Sequence, residues 1–280
     1  LRVADPARDE LRRIFTELEF KTLSDKFLNN RENIKNNANQ QFDLFAENPT
    51  DGQVDAEKSN LRALTDTPHT YKLVDTEEDM RRLCDFFMTK SFLSLDTETT
   101  STNTIDAELV GLSFSVEENE AFYVPVPADR QQAQNIVNIF KPVYESPSIL
   151  KIGQNIKYDM EVLMNYGVTL GGEMFDTMIA HYLLQPELRH NMDYMAEVYL
   201  GYKTIHIDEL IGPKGKGQKS MRDLDPKEVY EYAAEDADVT LKLKNILEPK
   251  LKEAGVWQLF TEVEMPLVQV LADMEVGGVR

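Results

Sequence analysis

The stretch Phe92-Leu93-Ser94-Leu95-Asp96-Thr97-Glu98-Thr99-Thr100 decides how we interpret the rest of the chain. Its first residues are apolar strand formers, so we predict a buried β-strand that ends in two carboxylates. Because alternate side chains of a strand share a face, Asp96 and Glu98 should point the same way. Two adjacent buried carboxylates need a compensating partner such as a metal ion. An acidic strand end that frays into solvent is the simpler alternative.

The composition of the 280-residue chain limits its possible functions without selecting one. The length allows one or two domains, and no apolar run reaches the roughly 18 residues of a membrane helix, so we predict no membrane association. Cys84 is the single cysteine, which suits a reducing cytoplasm rather than a disulfide framework. A net charge of −19 argues against nucleic-acid binding over the whole surface, so such a role requires local basic patches or metal ions.

Composition also predicts how the chain is organised. Residues 1–28 have apolar positions at helical spacing, and residues 29–66 are rich in Asn and Gln, which is typical of a flexible linker. Residues 67–255 have the pattern of a compact domain. A strand, a helix, the central strand, a β-hairpin, a helix and another strand precede mostly helical sequence there. We therefore predict an α/β fold with a mixed sheet flanked by helices.

Two later helices carry further polar groups on one face each. The helix predicted from Gln154 to Tyr166 has Asn155 and Asp159 four residues apart, with Tyr158 beside them. A solvated helix face is an adequate explanation for this pair.

The helix predicted from Pro226 to Lys252 is more informative. Asp236 interrupts its apolar stripe, and Tyr232 lies one turn earlier on the same side. We expect the neighbouring Glu235 and Asp238 to face solvent. A carboxylate on a core-facing stripe, with a phenol one turn away, requires a partner such as a metal ion.

The three motifs together resemble a known family. The motifs Asp96-x-Glu98, Asn155-x3-Asp159 and Tyr232-x3-Asp236 resemble those of the DEDD superfamily of 3′–5′ exonucleases, in its Tyr-containing subgroup. The segments Lys151 to Asp159, Phe175 to Met178 and Tyr232 to Thr240 are similar to the proofreading domain of bacterial DNA polymerase I. That resemblance covers about residues 70–255. It implies a ribonuclease-H-like sheet and two-metal phosphodiester hydrolysis with Mg²⁺ or Mn²⁺.

The resemblance also implies a role for each motif residue. Asp96 would bridge two divalent ions, and Glu98 and Asp236 would complete the site of the ion that activates water. Asp159 would hold the second ion, largely through water. Tyr232 would orient the attacking water. A bound metal ion lowers the pKa of its water, so the reaction needs no histidine base. None of the four histidines lies in these motifs.

Several positions are predicted to contact DNA. The resemblance implies contacts with the terminal nucleotides for Thr99, Asn155 and Tyr158, and a DNA-contacting role for Arg189. The loop from Gly212 to Ser220 is the most basic patch of an acidic chain, so it is either a phosphate-contacting loop or a flexible solvated turn. Its candidate phosphate ligands are Lys214, Lys216 and Lys219. Asp176 is better explained as a helix N-cap than as a metal ligand.

An apolar island interrupts the predicted linker at Gln41-Phe42-Asp43-Leu44-Phe45. It either folds back onto the domain or serves as a docking peptide. It resembles the sliding-clamp-binding motif of bacterial replication and repair proteins, with Phe42 in place of the usual Leu. The resemblance implies a bacterial sliding clamp as a partner of these five residues.

The ends of the chain complete the interpretation. Residues 1–28 resemble the helix that closes an upstream 5′-nuclease region, and residues 256–280 resemble the start of a polymerase domain. The leading hypothesis is therefore a nucleoid-associated, cytoplasmic exonuclease that acts on single-stranded or frayed 3′ DNA ends, with a polymerase domain in cis. The alternatives are a ribonuclease-D-like exoribonuclease and an inactive scaffold that docks a sliding clamp.

Overall fold

A six-stranded mixed sheet forms the centre of the computed structural model, which describes residues 61–212 and 217–278. Its strands are β1 (Thr70–Leu73), β2 (Phe92–Thr99), β3 (Leu109–Glu117), β4 (Glu120–Pro125), β5 (Leu150–Gly153) and β6 (Met174–Asp176). Their order across the sheet is β1-β4-β3-β2-β5-β6. The pairs β1–β4, β2–β5 and β5–β6 are parallel, whereas β3 is antiparallel to both β2 and β4. The predicted mixed sheet and its hairpin are confirmed.

Helices follow and flank these strands. They are α1 (Glu77–Phe87), α2 (Arg130–Glu145), α3 (Ile156–Met164), α4 (Thr177–Leu184), α5 (Met192–Met195), α6 (Ile207–Ile211), α7 (Pro226–Glu253), α8 (Trp257–Leu259) and α9 (Met265–Val276). Helix α7 starts at Pro226, as the sequence predicted, and Asp225 caps it. In the part of the chain that the structure describes, no helix has the length and apolar character needed to cross a bilayer.

The two faces of the sheet differ in side-chain size. Leu95 and Phe114 lie opposite each other on β2 and β3, and the Phe114 ring contacts Phe87 of α1 at 5.2 Å and Phe140 of α2 at 5.0 Å between centroids. This face is therefore the large aromatic core against α1 and α2.

The other face receives α7 and carries mainly small side chains, with Tyr123 of β4 as the large exception. Ser94 on this face donates a 2.7 Å hydrogen bond from its hydroxyl to the Ala237 carbonyl. Small residues line both sides of the contact, namely Ser94, Ser113, Ser115 and Ala121 on the strands and Ala233, Ala234 and Ala237 on α7, all fully buried. With little side-chain volume between them, α7 lies close to the sheet. Polar groups of α7 thereby come within reach of those on β2.

Helix α3 begins later than the sequence predicted. We expected it to start at Gln154, but Asn155 adopts the left-handed conformation with φ 59° and ψ 48°, and the helix starts at Ile156. Left-handed backbone is unfavourable for residues other than Gly, although Asn tolerates it better than most. The Asn155 position is therefore held by its surroundings.

Packing and hydrogen bonds of the compact unit continue on both sides of residues 67–255. Arg62, predicted to lie in the linker, donates from its backbone N–H to the Gly201 carbonyl at 3.0 Å and accepts from the Lys203 N–H at 2.8 Å. Toward the other end, Phe260 is fully buried and its ring lies 4.8 Å from that of Phe175. The residues from 257 to 276 thus pack on the same core. The predicted helix 1–28 and residues 29–60 of the predicted linker lie outside the described residues.

Candidate active site

Three carboxylates converge where β2 meets α7. Asp96 and Glu98 share the face of β2 that α7 covers, because they are two residues apart. One carboxylate oxygen from each of Asp96, Glu98 and Asp236 lies within 4.8 Å of the other two. Glu98 and Asp236 are 7% and 9% exposed, while Asp96 is more open to solvent. The structure therefore brings Asp96 together with Asp236, which lies 140 positions later in the chain.

The electrostatics of this acidic trio are unfavourable without a cation. Burial raises the pKa of Asp96 to about 6. The pKa values of Glu98 and Asp236 are raised well above their usual range, first by burial and then by the neighbouring Asp96 charge. The Oε1 atom of Glu98 is buried and has no hydrogen-bond partner in the described part of the chain. Such a cluster is compensated by binding a positive charge.

Asp159 lies beside the trio but is held differently. Its Oδ1 atom accepts hydrogen bonds from the Thr97 backbone N–H at 3.0 Å and from the Thr97 hydroxyl at 2.7 Å. Burial and then the Asp96 charge raise its pKa, and the bonds from Thr97 oppose that rise. Thr97 ties α3 to β2 and leaves Oδ2 of Asp159 available. Our sequence analysis missed this role of Thr97, although its place between the two strand carboxylates was a usable signal.

Tyr232 supplies a neutral phenol at the same place. Its ring packs against a small apolar cluster that includes Val110, Tyr123, Met221 and Val229. Its pKa is raised far above the usual value, by burial first and then by the charges of Asp236, Glu98 and Asp96. The hydroxyl therefore keeps its proton at any ordinary pH and acts as a hydrogen-bond donor.

The expectation that Glu235 and Asp238 face solvent is wrong, because both are fully buried. Glu235 accepts from the Tyr202 hydroxyl at 2.5 Å and from the Ile205 N–H at 2.6 Å. Asp238 accepts from the Tyr71 hydroxyl at 2.7 Å, the Asn119 N–H at 2.8 Å and the Lys242 ammonium at 2.7 Å. These carboxylates are satisfied within the protein. Asp236 differs from them because its side-chain partner is the Tyr232 hydroxyl and because the Asp96 and Glu98 charges lie beside it.

The predicted DNA-contacting residues on β2 and α3 adjoin the trio. The Tyr158 hydroxyl contacts the Thr99 hydroxyl and donates to the Ser101 carbonyl at 2.5 Å. Asn155 precedes α3, but its side chain makes no capping hydrogen bond to the helix. Both Asn155 and Tyr158 are half-buried, so each presents polar atoms at the edge of the site.

The other residues predicted to contact DNA or a clamp are exposed or lie outside the described residues. Arg189 is exposed, and the carbonyl of the next residue, His190, accepts from the Gln154 side-chain amide at 2.8 Å. Lys219 is exposed, and its backbone N–H donates to the Ile211 carbonyl at 2.9 Å, which closes the base of the basic loop. Lys214, Lys216 and the peptide Gln41 to Phe45 lie outside the described residues. Asp176 caps α4 as predicted, accepting from the Met178 and Ile179 N–H groups.

The trio fits a hard divalent cation. Its donors are all carboxylate oxygens, which suit Mg²⁺ or Mn²⁺ rather than zinc or copper. The uncompensated Glu98 Oε1 is the atom whose environment most requires a cation. Asp159, with one oxygen bound by Thr97 and the other available, can supply a further ligand next to Asp96.

Comparison with known proteins identifies the family. The family model described as a 3′–5′ exonuclease matches residues 71–252. The chain belongs to this 3′–5′ exonuclease family. The match includes all three motifs and the whole sheet except the first residue of β1.

Relatives of this exonuclease are bacterial DNA polymerases. DNA polymerase I of Pseudomonas aeruginosa is 35% identical over an alignment that covers 98% of this chain and 29% of that protein. DNA polymerase I of Borreliella burgdorferi is 33% identical, covering 88% of this chain and 26% of that protein. The predicted resemblance to the exonuclease domain of DNA polymerase I is confirmed, and the chain spans less than a third of these relatives.

A solved structure confirms the fold. Escherichia coli RNase D, an exoribonuclease involved in structured RNA processing, matches with a TM-score of 0.57 and 21% identity, over 72% of this chain and 50% of that chain. The ribonuclease-H-like architecture predicted from the motifs is therefore correct.

Proposed function

We propose that this chain is the proofreading exonuclease of a bacterial DNA polymerase I, removing mismatched 3′-terminal nucleotides from DNA by hydrolysis. The observation that carries the proposal is the acidic trio, whose three carboxylates lie within 4.8 Å of one another with an uncompensated buried oxygen on Glu98. Membership of the 3′–5′ exonuclease family and relatives that are DNA polymerases support it.

In this proposal the four carboxylates hold two divalent ions, Mg²⁺ or Mn²⁺. Asp96, Glu98 and Asp236 would hold one ion, and Asp159 would hold the other together with Asp96. Bound ions of this kind lower the pKa of coordinated water and stabilise negative charge on phosphate oxygens. Thr97 fixes the Asp159 carboxylate against β2, so that its free Oδ2 keeps a constant position relative to Asp96.

Tyr232 orients the attacking water. Its neutral hydroxyl donates a hydrogen bond, and its ring is fixed by the apolar packing beneath α7. Glu98, which shares a face of β2 with Asp96, would assist by accepting a hydrogen bond from the same water. Together they align one lone pair of the water with the terminal phosphodiester, which lowers the entropic part of the barrier.

The substrate in the proposal is a single-stranded or frayed 3′ end of DNA. Thr99, Asn155 and Tyr158 contact the terminal nucleotides from the edge of the acidic site. Arg189 and the lysines of the basic loop (Lys214, Lys216 and Lys219) contact backbone phosphates. With a net charge of −19, the chain attracts DNA only through such local cations and the bound metal ions.

The proposal includes a polymerase domain in cis that follows the described residues. Helix α9 supports this because several of its large apolar side chains are exposed, and a covering domain would bury them. These side chains are Leu267, Val270, Leu271, Met274 and Val276. The domain division at residues 28, 66 and 255, the clamp-binding role of Gln41 to Phe45 and the nucleoid location remain parts of the proposal.

Substrate preference tests the proposal against an exoribonuclease. DNA and RNA oligonucleotides of the same sequence are incubated with the chain in Mg²⁺, with Glu98→Gln as the inactive variant and Glu235→Gln as a matched buried-carboxylate control. We expect the DNA to be shortened from its 3′ end by the wild type and by Glu235→Gln. Preferential loss of the RNA would contradict the proposal in favour of a ribonuclease-D-like activity.

A further inference from the structure

Asp176 connects two helices with one carboxylate. It ends β6 and directly precedes α4, and it is 1% exposed. Its Oδ1 atom accepts from the N–H groups of Met178 at 2.8 Å and Ile179 at 3.1 Å, which caps α4. Its Oδ2 atom accepts from the Ile156 N–H at 2.8 Å, at the first residue of α3. An ordinary N-cap serves only its own helix, so the bond to Ile156 is additional.

The bond to Ile156 stabilises an unfavourable turn at the edge of the acidic site. Asn155 is left-handed at φ 59°, a conformation that costs a non-Gly residue on the order of 1–2 kcal/mol. Its side chain makes no capping bond to α3, so Asp176 replaces the missing cap. The Asn155 amide is thereby left free to face a ligand.

A second set of hydrogen bonds reinforces the same connection. The Thr177 hydroxyl donates to the Gly153 carbonyl at 3.2 Å and contacts the Gln154 side-chain oxygen. The Gln154 amide in turn donates to the His190 carbonyl at 2.8 Å. The start of α4 therefore holds both the turn at Asn155 and the segment that carries Arg189.

From these contacts we propose that Asp176 is a positioning residue for the exonuclease reaction. Through Ile156 it fixes the left-handed turn at Asn155 and the first turn of α3, which carries Asp159. Asp159 is then held from two sides, by Thr97 on β2 and by Asp176 through the helix. The inference rests on the proposed function, because its kinetic effect requires that the chain degrade DNA.

The test separates this connection from ordinary helix capping. In Asp176→Ser the hydroxyl still caps α4, since Ser is a good N-cap, but it is too short to reach Ile156 as well. Asp129→Ser is the matched control, because Asp129 caps α2 by accepting from the Gln132 N–H at 2.9 Å. Asp176→Asn is the second variant, because a single amide oxygen can serve only one of the two helices.

We expect Asp176→Ser to lower kcat/KM for single-stranded DNA on the order of tenfold or more at a temperature well below unfolding. Most of the loss should be in kcat, because the displaced groups hold the reacting end. Amide hydrogen exchange at Ile156 should become faster while Met178 and Ile179 stay protected. Asp129→Ser should leave kcat/KM and the Ile156 exchange rate unchanged. If Asp176→Ser does not fold, Asp176→Asn should show the same kinetic loss.

Two results would overturn the inference. One is an unchanged Ile156 exchange rate in both Asp176 variants. The other is faster exchange at Ile156 with kcat/KM equal to that of Asp129→Ser, which would make Asp176 a structural cap only. If the wild type does not degrade DNA at all, the proposed function fails instead, and the Ile156 exchange rate still shows whether Asp176 holds α3.

Discussion

Neutralising one carboxylate of the acidic trio should stabilise the metal-free protein while it destroys activity. The variant is Asp96→Asn, which preserves shape and removes one negative charge. Two carboxylate oxygens within 4.8 Å of each other repel by at least about 3 kcal/mol at an effective dielectric constant of about 20. The rise in the pKa of Asp96 to about 6 corresponds to a similar figure, about 3 kcal/mol. Because Asp96 is partly open to solvent, we expect a gain of about 1–3 kcal/mol.

The pH dependence of this gain has a definite sign. Asp96 binds its proton more tightly in the folded protein than in the unfolded chain, where its pKa is near 3.8. The Asp96 contribution to wild-type stability therefore falls as pH rises from about 4 to about 6 and does not change further above that. The Asn variant lacks that loss, so its advantage develops over this interval and is complete above about pH 7.

Urea denaturation in EDTA at pH 8, and again with Mg²⁺, measures the effect. We expect Asp96→Asn to be more stable than the wild type in EDTA. Mg²⁺ should stabilise the wild type and shrink or reverse the difference, because Asp96→Asn removes one ligand of the proposed metal site. Glu235→Gln is the control, and it should be less stable in both solutions, since it disturbs bonds from Tyr202 and Ile205. Equal destabilisation of the two variants in EDTA would refute the claim that the trio is uncompensated.

Three further changes have distinct expected outcomes. Tyr232→Phe should lower kcat by about ten- to a hundredfold, with little change in the Mn²⁺ affinity measured by calorimetry. A loss of Mn²⁺ affinity as large as the loss of kcat would contradict the role of Tyr232 in orienting water. Thr97→Val removes the hydroxyl bond to Asp159, so the Mn²⁺ concentration for half-maximal DNA degradation should rise severalfold. An unchanged value would mean that the bond from the Thr97 backbone N–H is enough to hold Asp159. Lys151→Met should reduce the unfolding free energy, measured in urea, by about 2–4 kcal/mol. The reason is that the buried Lys151 ammonium donates to the carbonyls of Ser146, Ile149 and Gly171. A variant as stable as the wild type would refute this.

The sequence was informative where local pattern and chemistry agree. The stretch from Phe92 to Thr99 alternates as a strand, and the helix predicted to start at Pro226 starts there, behind the capping residue Asp225. The spacing of Asp96 and Glu98 places both on one face without any tertiary information. These features depend on backbone geometry over a few residues, which sequence patterns describe well.

Features that depend on long-range contacts were not predictable in the same way. Glu235 and Asp238 look like surface residues on a helical wheel, but distant donors such as Tyr202 and Tyr71 satisfy them in the core. The left-handed turn at Asn155 depends on Asp176, 21 positions later in the sequence. Burial of a carboxylate is decided by partners that only the fold brings near.

The central claim is that Asp96, Glu98, Asp159 and Asp236 form a metal-dependent 3′–5′ exonuclease site. The most direct measurement is degradation of a 5′-labelled single-stranded DNA with a mismatched 3′ end by the wild type and by the double variant Asp96→Ala/Glu98→Ala. We predict a ladder of progressively shorter labelled products in Mg²⁺ or Mn²⁺, lost in EDTA and in the double variant. An undegraded strand at high enzyme concentration, or a ladder that survives the double substitution, would contradict the claim.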